Sequence, residues 1–426
     1  MVRLTNISFV NSGRRIEYSY TVGKEFRKYF SNSDCFYAEY DVDVSAVPYS
    51  IAVIPFLANI MPIAWFLDCQ VEVNDVDSNF LDSLDQIRKE LSKDWKEMPL
   101  RGDLIAEKIT VNAFKGDKCL MLYSGGVDAA ATYLRHRDKN PDLVTVLGAD
   151  IPVHDDRQWG DVTKFVGLHP LTAQNRKYRI KSNLRDFYTF RVDLLVDIGW
   201  WGKVQHGLAL LGITAPLSYV NQYKGIYFAS SQADGFAWGS HPKIDDKVRW
   251  ADLFCKNDGF ELRRQQKIDL IVDWSRRHSS AITLRVCYSE LNMGLNCGRC
   301  EKCYRTILGL ILADADPNDF GFSVDGKIYA AIFWYFEKLR ESSKNLVNLW
   351  KDIADKASST DSFHVFSDPT TESEYVHRIA SGEISFLLRN RLNESSRIPI
   401  VKFFLMNHFR SSYRLYNWLK TLPRSG

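Results

Sequence analysis

No stretch of this 426-residue sequence stays apolar for the ~20 residues that a bilayer-spanning helix needs. The nearest, Ile51 to Leu67, carries no charge, but Pro55, Asn59 and Pro62 interrupt it and Asp68 ends it. A buried strand-and-helix segment is the expectation there, and no membrane partner is expected. The opening Met1-Val2-Arg3-Leu4-Thr5-Asn6 lacks a basic n-region followed by an apolar h-region, so no export signal is expected and the chain is expected to be cytoplasmic. An excess of one charge is also lacking. With 55 basic and 52 acidic residues the net charge is +3, which leaves nucleic acid open as a partner. No internal repeat or low-complexity tract occurs.

What is present is the balance of a folded protein with a full core, 45% apolar and 25% charged. The length exceeds one ordinary domain, so two or three are expected. There are eight cysteines. Cys35, Cys69, Cys119 and Cys255 are scattered, whereas Cys287, Cys297, Cys300 and Cys303 fall close together. In a cytosolic chain disulfides are rare and clustered cysteines are more often metal ligands.

Residues 1–115 read as an α+β domain. Glu17 to Tyr20, Phe36 to Val44 and Cys69 to Val73 alternate polar and apolar side chains as half-buried strands do. Asp75 to Trp95 places Phe80, Leu84, Ile87 and Leu91 at helical spacing. Pro99 to Phe114 reads as a short connecting strand region. Residues 116–313 change character. Lys118 to Tyr123 and Leu143 to Gly148 suit buried parallel strands, with a third near Phe190 to Asp193 and a further one at Gly225 to Ser230. Trp200 to Leu211 reads as a helix. Strands alternating with helices imply an α/β fold with a parallel sheet, whose ligands collect at the strands' carboxyl ends. Residues 314–426 read as a helical region with a loop over 355–374 and helix cores at Tyr329 to Phe336, Phe386 to Leu388 and Phe403 to Leu405. After Glu394 there are six basic residues and no acidic one, with Tyr413, Tyr416 and Trp418 interleaved, as on an anion-contacting surface or a solvated basic helix face.

The loop Ser124-Gly125-Gly126-Val127-Asp128 lies between a buried strand and the small-residue helix opening at Ala129. Two glycines let the backbone turn sharply and aim its N–H groups at one place, and the helix brings its positive end to the same place. Ser124 adds a hydroxyl donor. Asp128 would repel phosphate directly but can hold Mg²⁺ bridging phosphate oxygens. No Gly-Lys-Ser/Thr follows, so this is not a Walker A loop. The segment resembles the PP-loop of the N-type ATP pyrophosphatase superfamily, Ser-Gly-Gly-x-Asp-Ser, with Ala129 in place of the last serine. That resemblance implies a doubly wound parallel fold and an adenylating activity. It implies ATP on Leu122, Tyr123, Ser124, Gly125, Gly126, Val127, Asp128 and Ala129, with Ser124 and Asp128 as the catalytic pair.

Cys287-x9-Cys297-Gly-x-Cys300-x2-Cys303 supplies the four thiolates of a closed structural zinc site. Gly298 permits the turn, and Arg299, Lys302 and Arg305 would offset the thiolates. An iron–sulfur cluster accepts the same set, and Cys255 or His278 can stand in for Cys287 at this level of reading. A PP-loop followed by this cysteine pattern resembles the 7-cyano-7-deazaguanine synthases (the QueC family) over roughly residues 116–313. The remaining chain resembles the larger QueC-like proteins of bacterial anti-phage operons, the QatC type. The resemblance implies a ligase that adenylates a 7-deazaguanine carboxylate and passes it to an amine, such as the N-terminus of a partner protein from the same operon. A nucleotide-binding assembly or sensor subunit and a tRNA-modifying ligase are the rival readings.

Lesser candidates for substrate contact are His206, Ser230, Ser231, Asp234 and His241. His206 opens an apolar helix, and a packing histidine is the alternative reading. Ser230, Ser231 and Asp234 follow a strand on the side where ligands collect. His241 flanks Pro242, and a turn residue is the alternative reading.

Overall fold

The computed structural model describes residues 1–31, 35–196, 199–231, 238–287, 294–360, 365–366 and 368–392. The strands are β1 (Val2–Val10), β2 (Arg15–Val22), β3 (Cys35–Tyr40), β4 (Val71–Asp77), β5 (Leu104–Thr110), β6 (Cys119–Leu122), β7 (Asp142–Leu147), β8 (Lys177–Ser182), β9 (Gly225–Ala229), β10 (Arg249–Trp250) and β11 (Leu253–Asp258). The longer helices are α1 (Ile54–Leu67), α2 (Ser78–Asp94), α3 (Val127–His136), α4 (Asp156–Leu168), α5 (His206–Gly212), α6 (Arg264–His278), α7 (Glu301–Ile311), α8 (Ile328–Lys338), α9 (Lys344–Ser358), α10 (Pro369–Ala380) and α11 (Glu383–Arg389).

Two compact units divide the chain. The first comprises Met1–Tyr123, Arg135–Thr163 and Gln174–Phe260; the second comprises Ser124–Leu134, Lys164–Ala173 and Glu261–Gly426. The first unit holds all eleven strands in one sheet, ordered β10-β11-β9-β6-β7-β8-β3-β2-β1-β4-β5. The fold is α/β with a large, mostly parallel, mixed sheet. β11, β9, β6, β7 and β8 run parallel. β3, β2 and β1 then alternate in direction, and β4 and β5 run parallel to β1. The antiparallel pairing of β1 with β2 follows from their tight turn, where Asn11, Ser12 and Gly13 all have positive φ; a short turn can join only antiparallel neighbours. Strands from both sides of residue 115 therefore share one sheet.

The apolar segment after Pro48 is helical throughout, in a short turn Tyr49–Ala52 followed by α1, and contains no strand. Pro55 sits in the first turn, where its missing N–H is harmless. Asp68 at φ +53 ends the helix in a left-handed cap. Almost every side chain of α1 is buried, which explains apolar residues all round it. Among the described residues no helix is long and apolar enough to cross a membrane.

Two further expectations are corrected. Phe190–Asp193 is a helical turn, and the third parallel strand is β8. The Lys-Tyr-Arg-Ile-Lys-Ser sequence of β8 alternates because it joins the parallel and antiparallel parts of the sheet, buried on alternate residues. Of the described residues in the expected loop over 355–374, most are helical. α9 runs to Ser358, and α10 starts at Pro369 with Asp368 accepting from the Thr371 amide at 3.1 Å. The apolar run Phe403 to Leu405 and the basic tail lie outside the described residues.

Candidate functional site

β6 is buried along its whole length between β9 and β7. Tyr123 continues it: its amide donates to Val144 O at 2.9 Å, and its carbonyl accepts from Thr145 Oγ1 at 2.7 Å. Leu122 and Tyr123 are buried in the first unit, so their side chains are core.

The loop itself belongs to the second unit. Gly125 turns it at φ +74, and a Cβ there would sit 2.2 Å from Phe165 Cε1, so the position demands glycine on both counts. Gly125 O accepts from the Arg285 amide at 2.8 Å, which ties the turn down. Gly126 has ordinary φ, and a Cβ there would come no closer than 3.4 Å to Arg285 O. Its carbonyl accepts from the Ala130 amide at 2.9 Å and so starts α3. The Gly126 amide leans on Ser124 Oγ at 3.4 Å. Among the described residues the amides of Val127, Asp128 and Ala129 have no acceptor, as expected for the first turn of a helix. They point to an anion-binding end. Val127 and Ala129 are buried, Ala129 to 4% exposure.

Asp128 carries the feature that sequence reasoning missed. Its Oδ1 lies 2.9 Å from Lys267 Nζ and its Oδ2 3.6 Å from Arg264 Nη1. Both cations come from α6, three residues apart and hence on one face. Arg264 Nη2 also donates to Thr306 Oγ1 at 3.0 Å. Burial pushes the Asp128 carboxyl up, but Lys267 and Arg264 outweigh it and hold the carboxyl below the usual range. Both oxygens thus face cations. The donor set for a divalent ion is not assembled at Asp128, because Mg²⁺ would first have to displace an ammonium or a guanidinium. In sequence, Arg263-Arg264-Gln265-Gln266-Lys267 reads like any charged helix start, which is why the pair went unseen.

The four cysteines come together in the second unit. Their sulfurs all lie within 4.8 Å of one another. Cys287 and Cys300 are 3.9 Å apart, and Cys297 and Cys303 are 3.8 Å apart. Four Zn–S bonds of ~2.3 Å in a tetrahedron require S···S separations of ~3.8 Å, so the spacing fits a zinc ion and far exceeds a disulfide. Cys300 is the N-cap of α7 and Cys303 lies in its first turn; Gly298 turns the knuckle at φ +65. Asn296 fixes the approach. Its Oδ1 accepts from the Val286 amide at 2.9 Å, and its Nδ2 donates to Leu284 O at 2.7 Å and Gly321 O at 3.0 Å. Contact with the Cys287 sulfur raises Cys297, yet Cys300 and Cys303 outweigh it and bring Cys297 down to about 7. The neighbouring sulfurs push Cys300 and Cys303 well above the ordinary thiol range. Metal binding needs the thiolate form of all four, which a bound cation favours. The group can hold a metal ion such as zinc.

The expected alternates are not in this group. Cys255 is a fully buried strand residue of the first unit, its thiol raised by burial. His278 stacks on Trp274, with Nδ1 2.9 Å from Trp274 O. Arg305 is committed to Glu301 at 2.9 Å, and Glu301 also accepts from Trp350 Nε1 at 2.9 Å.

The remaining candidates lie in the first unit. His206 follows a π-helical turn, Trp201–Gln205, of a kind often found at functional places. Its ring meets Trp201, Phe228 and Trp238 at centroid distances of 5.0, 5.7 and 6.1 Å, and its buried Nδ1 has no hydrogen-bond partner among the described residues. Burial lowers its pKa, opposed by Asp150. Ser230 is buried at the end of β9, its amide donating to Asp258 O at 2.9 Å; Ser231 is exposed. His241 caps the turn Pro242–Asp245, its Nδ1 accepting from the Lys243 amide at 3.0 Å. Asp234 lies outside the described residues. Compared with protein-family models, with curated proteins and with solved structures, the chain matches none.

Proposed function

We propose that this chain binds ATP on the Ser124 to Asp128 loop and is a QueC-like ligase of the PP-loop type. One observation carries the reading: a left-handed Gly125 joins a buried strand to a helix whose first amides have no acceptor among the described residues. Such amides, at the positive end of the helix dipole, suit phosphate oxygens. The substrate class rests on the sequence resemblance. A carboxylate oxygen of a 7-deazaguanine acid attacks the α-phosphorus of ATP, the bond to the bridging oxygen breaks, and pyrophosphate leaves. An amine, for which the N-terminus of a partner protein is our candidate, then attacks the acyl carbon. AMP departs and the amine proton passes to solvent. The loop amides and the Ser124 hydroxyl would stabilise the charge on the departing pyrophosphate, the kind of preorganised donor set that lowers such barriers most. Mg²⁺ belongs to the proposal as the counter-ion of ATP, and zinc as the structural ion of the knuckle.

The test is to incubate purified protein with ATP, a 7-deazaguanine carboxylic acid and copurifying proteins. AMP, pyrophosphate and a nucleobase-sized mass increase on one protein are expected; absence of both AMP and adduct overturns the reading. Binding without turnover is the second reading. It is favoured by Ala129, whose methyl replaces the motif hydroxyl, and by the engagement of Asp128 with two cations. Tight ATP binding with no pyrophosphate release would select it.

A further inference from the structure

Asp128, Lys267 and Arg264 differ in how they reach water. The Lys267 side chain is 2% exposed and that of Arg264 is 13% exposed, whereas that of Asp128 is 25% exposed. Arg264 is further pinned by its bond to Thr306. Lysine is almost never this buried without a charged partner. Of the three side chains that of Asp128 is the most exposed, and both cations project from one face of α6.

What the carboxylate offers those cations is a pair of anionic, acceptor-only oxygens beside the open amides of α3. A phosphate offers the same chemistry with more charge and more oxygens, and it matches guanidinium in two-pronged geometry. A third cation, Lys302, also acts on the Asp128 carboxyl. The same donors would therefore serve either anion, and the two anions compete for them.

We propose that Asp128 is an internal placeholder for an oligophosphate, and that Lys267 and Arg264 of α6 are the phosphate-gripping side chains of the loop. When the ligand arrives, its oxygens take over Lys267 Nζ and the Arg264 guanidinium, and the Asp128 carboxylate turns outward. Asp128 is then free to meet a cation carried by the ligand. This rests on the ATP reading above and adds two residues and an exchange to it.

Metal-free pyrophosphate is the probe, titrated calorimetrically in the presence of a chelator. Removing the placeholder should tighten binding: Asp128→Asn should gain roughly tenfold, the worth of one charge-assisted hydrogen bond. Asp128→Ser serves as a second charge-free variant should the first fail to fold. Lys267→Gln should weaken binding by a similar factor. Pyrophosphate affinity that is unchanged or lower in both folded Asp128 variants overturns the placeholder, even if wild-type protein binds Mg-ATP. If wild-type protein binds neither pyrophosphate nor Mg-ATP, the ATP reading itself falls.

Discussion

Gly125 and Gly126 stand side by side in the sequence, yet the fold asks different things of them. Gly125 needs a left-handed backbone and an empty Cβ position against Phe165, whereas Gly126 needs neither. Gly125→Ala should lower stability by ~2 kcal/mol or more, through backbone strain of ~1–2 kcal/mol plus overlap. Gly126→Ala should leave urea unfolding within ~1 kcal/mol of wild type, and so report on phosphate binding alone. An equal loss in both variants would contradict this assignment. The Ser-Gly-Gly-x-Asp run was legible in sequence because glycine and small polar residues mark a turn by their own chemistry. The partners of Asp128 were not, because Lys267 is far along the chain and nothing local distinguishes a buried lysine from a solvated one.

At the scale of elements, the knuckle and α7 form one device. Cys300 is the N-cap of the helix whose first turn holds Cys303, and Asn296 ties the knuckle to Leu284, Val286 and Gly321. Metal analysis should find about one zinc ion per chain, as four thiolates fill one closed site. Cys297→Ser or Cys300→Ser should abolish retention of that ion, and Asn296→Ala should weaken it by roughly tenfold or more, the usual effect of losing a group that orients ligands. Iron without zinc, or full retention in the cysteine variants, would refute the assignment. This element was the most legible of all, since Cys-x2-Cys spacing fixes which sulfurs can meet within a single turn. Sequence spacing could not show that Arg305 pairs with Glu301, which Trp350 also engages, rather than with the thiolates.

Across the first unit, buried polar groups set the response to pH. Asp245 is fully buried and accepts from Ser240 Oγ and Asn257 Nδ2, both at 2.7 Å. Burial, aided by Asp246, pushes its carboxyl up to about 7. The native chain therefore keeps a proton that the unfolded chain, with a carboxyl near ~4, has released. Stability should fall as pH rises from ~4 towards neutrality, by up to ~1.4 kcal/mol per pH unit from this group, and then level off. Asp245→Asn should flatten that dependence in urea unfolding between about pH 5 and about pH 8; an unchanged slope would show that Asp245 is ionised in the native protein. The sequence by itself determined what short-range chemistry can dictate: strands from alternation and apolar runs, a glycine turn leading into a helix, and a cysteine knuckle at metal-ligand spacing. Tertiary structure alone decided the rest. It joined strands from both sides of residue 115 into one mixed sheet, because backbone pairing is blind to the side-chain patterns that suggested a boundary. It also set Lys267 and Arg264 against Asp128, because ion pairs between distant segments exist only once the chain has brought them together.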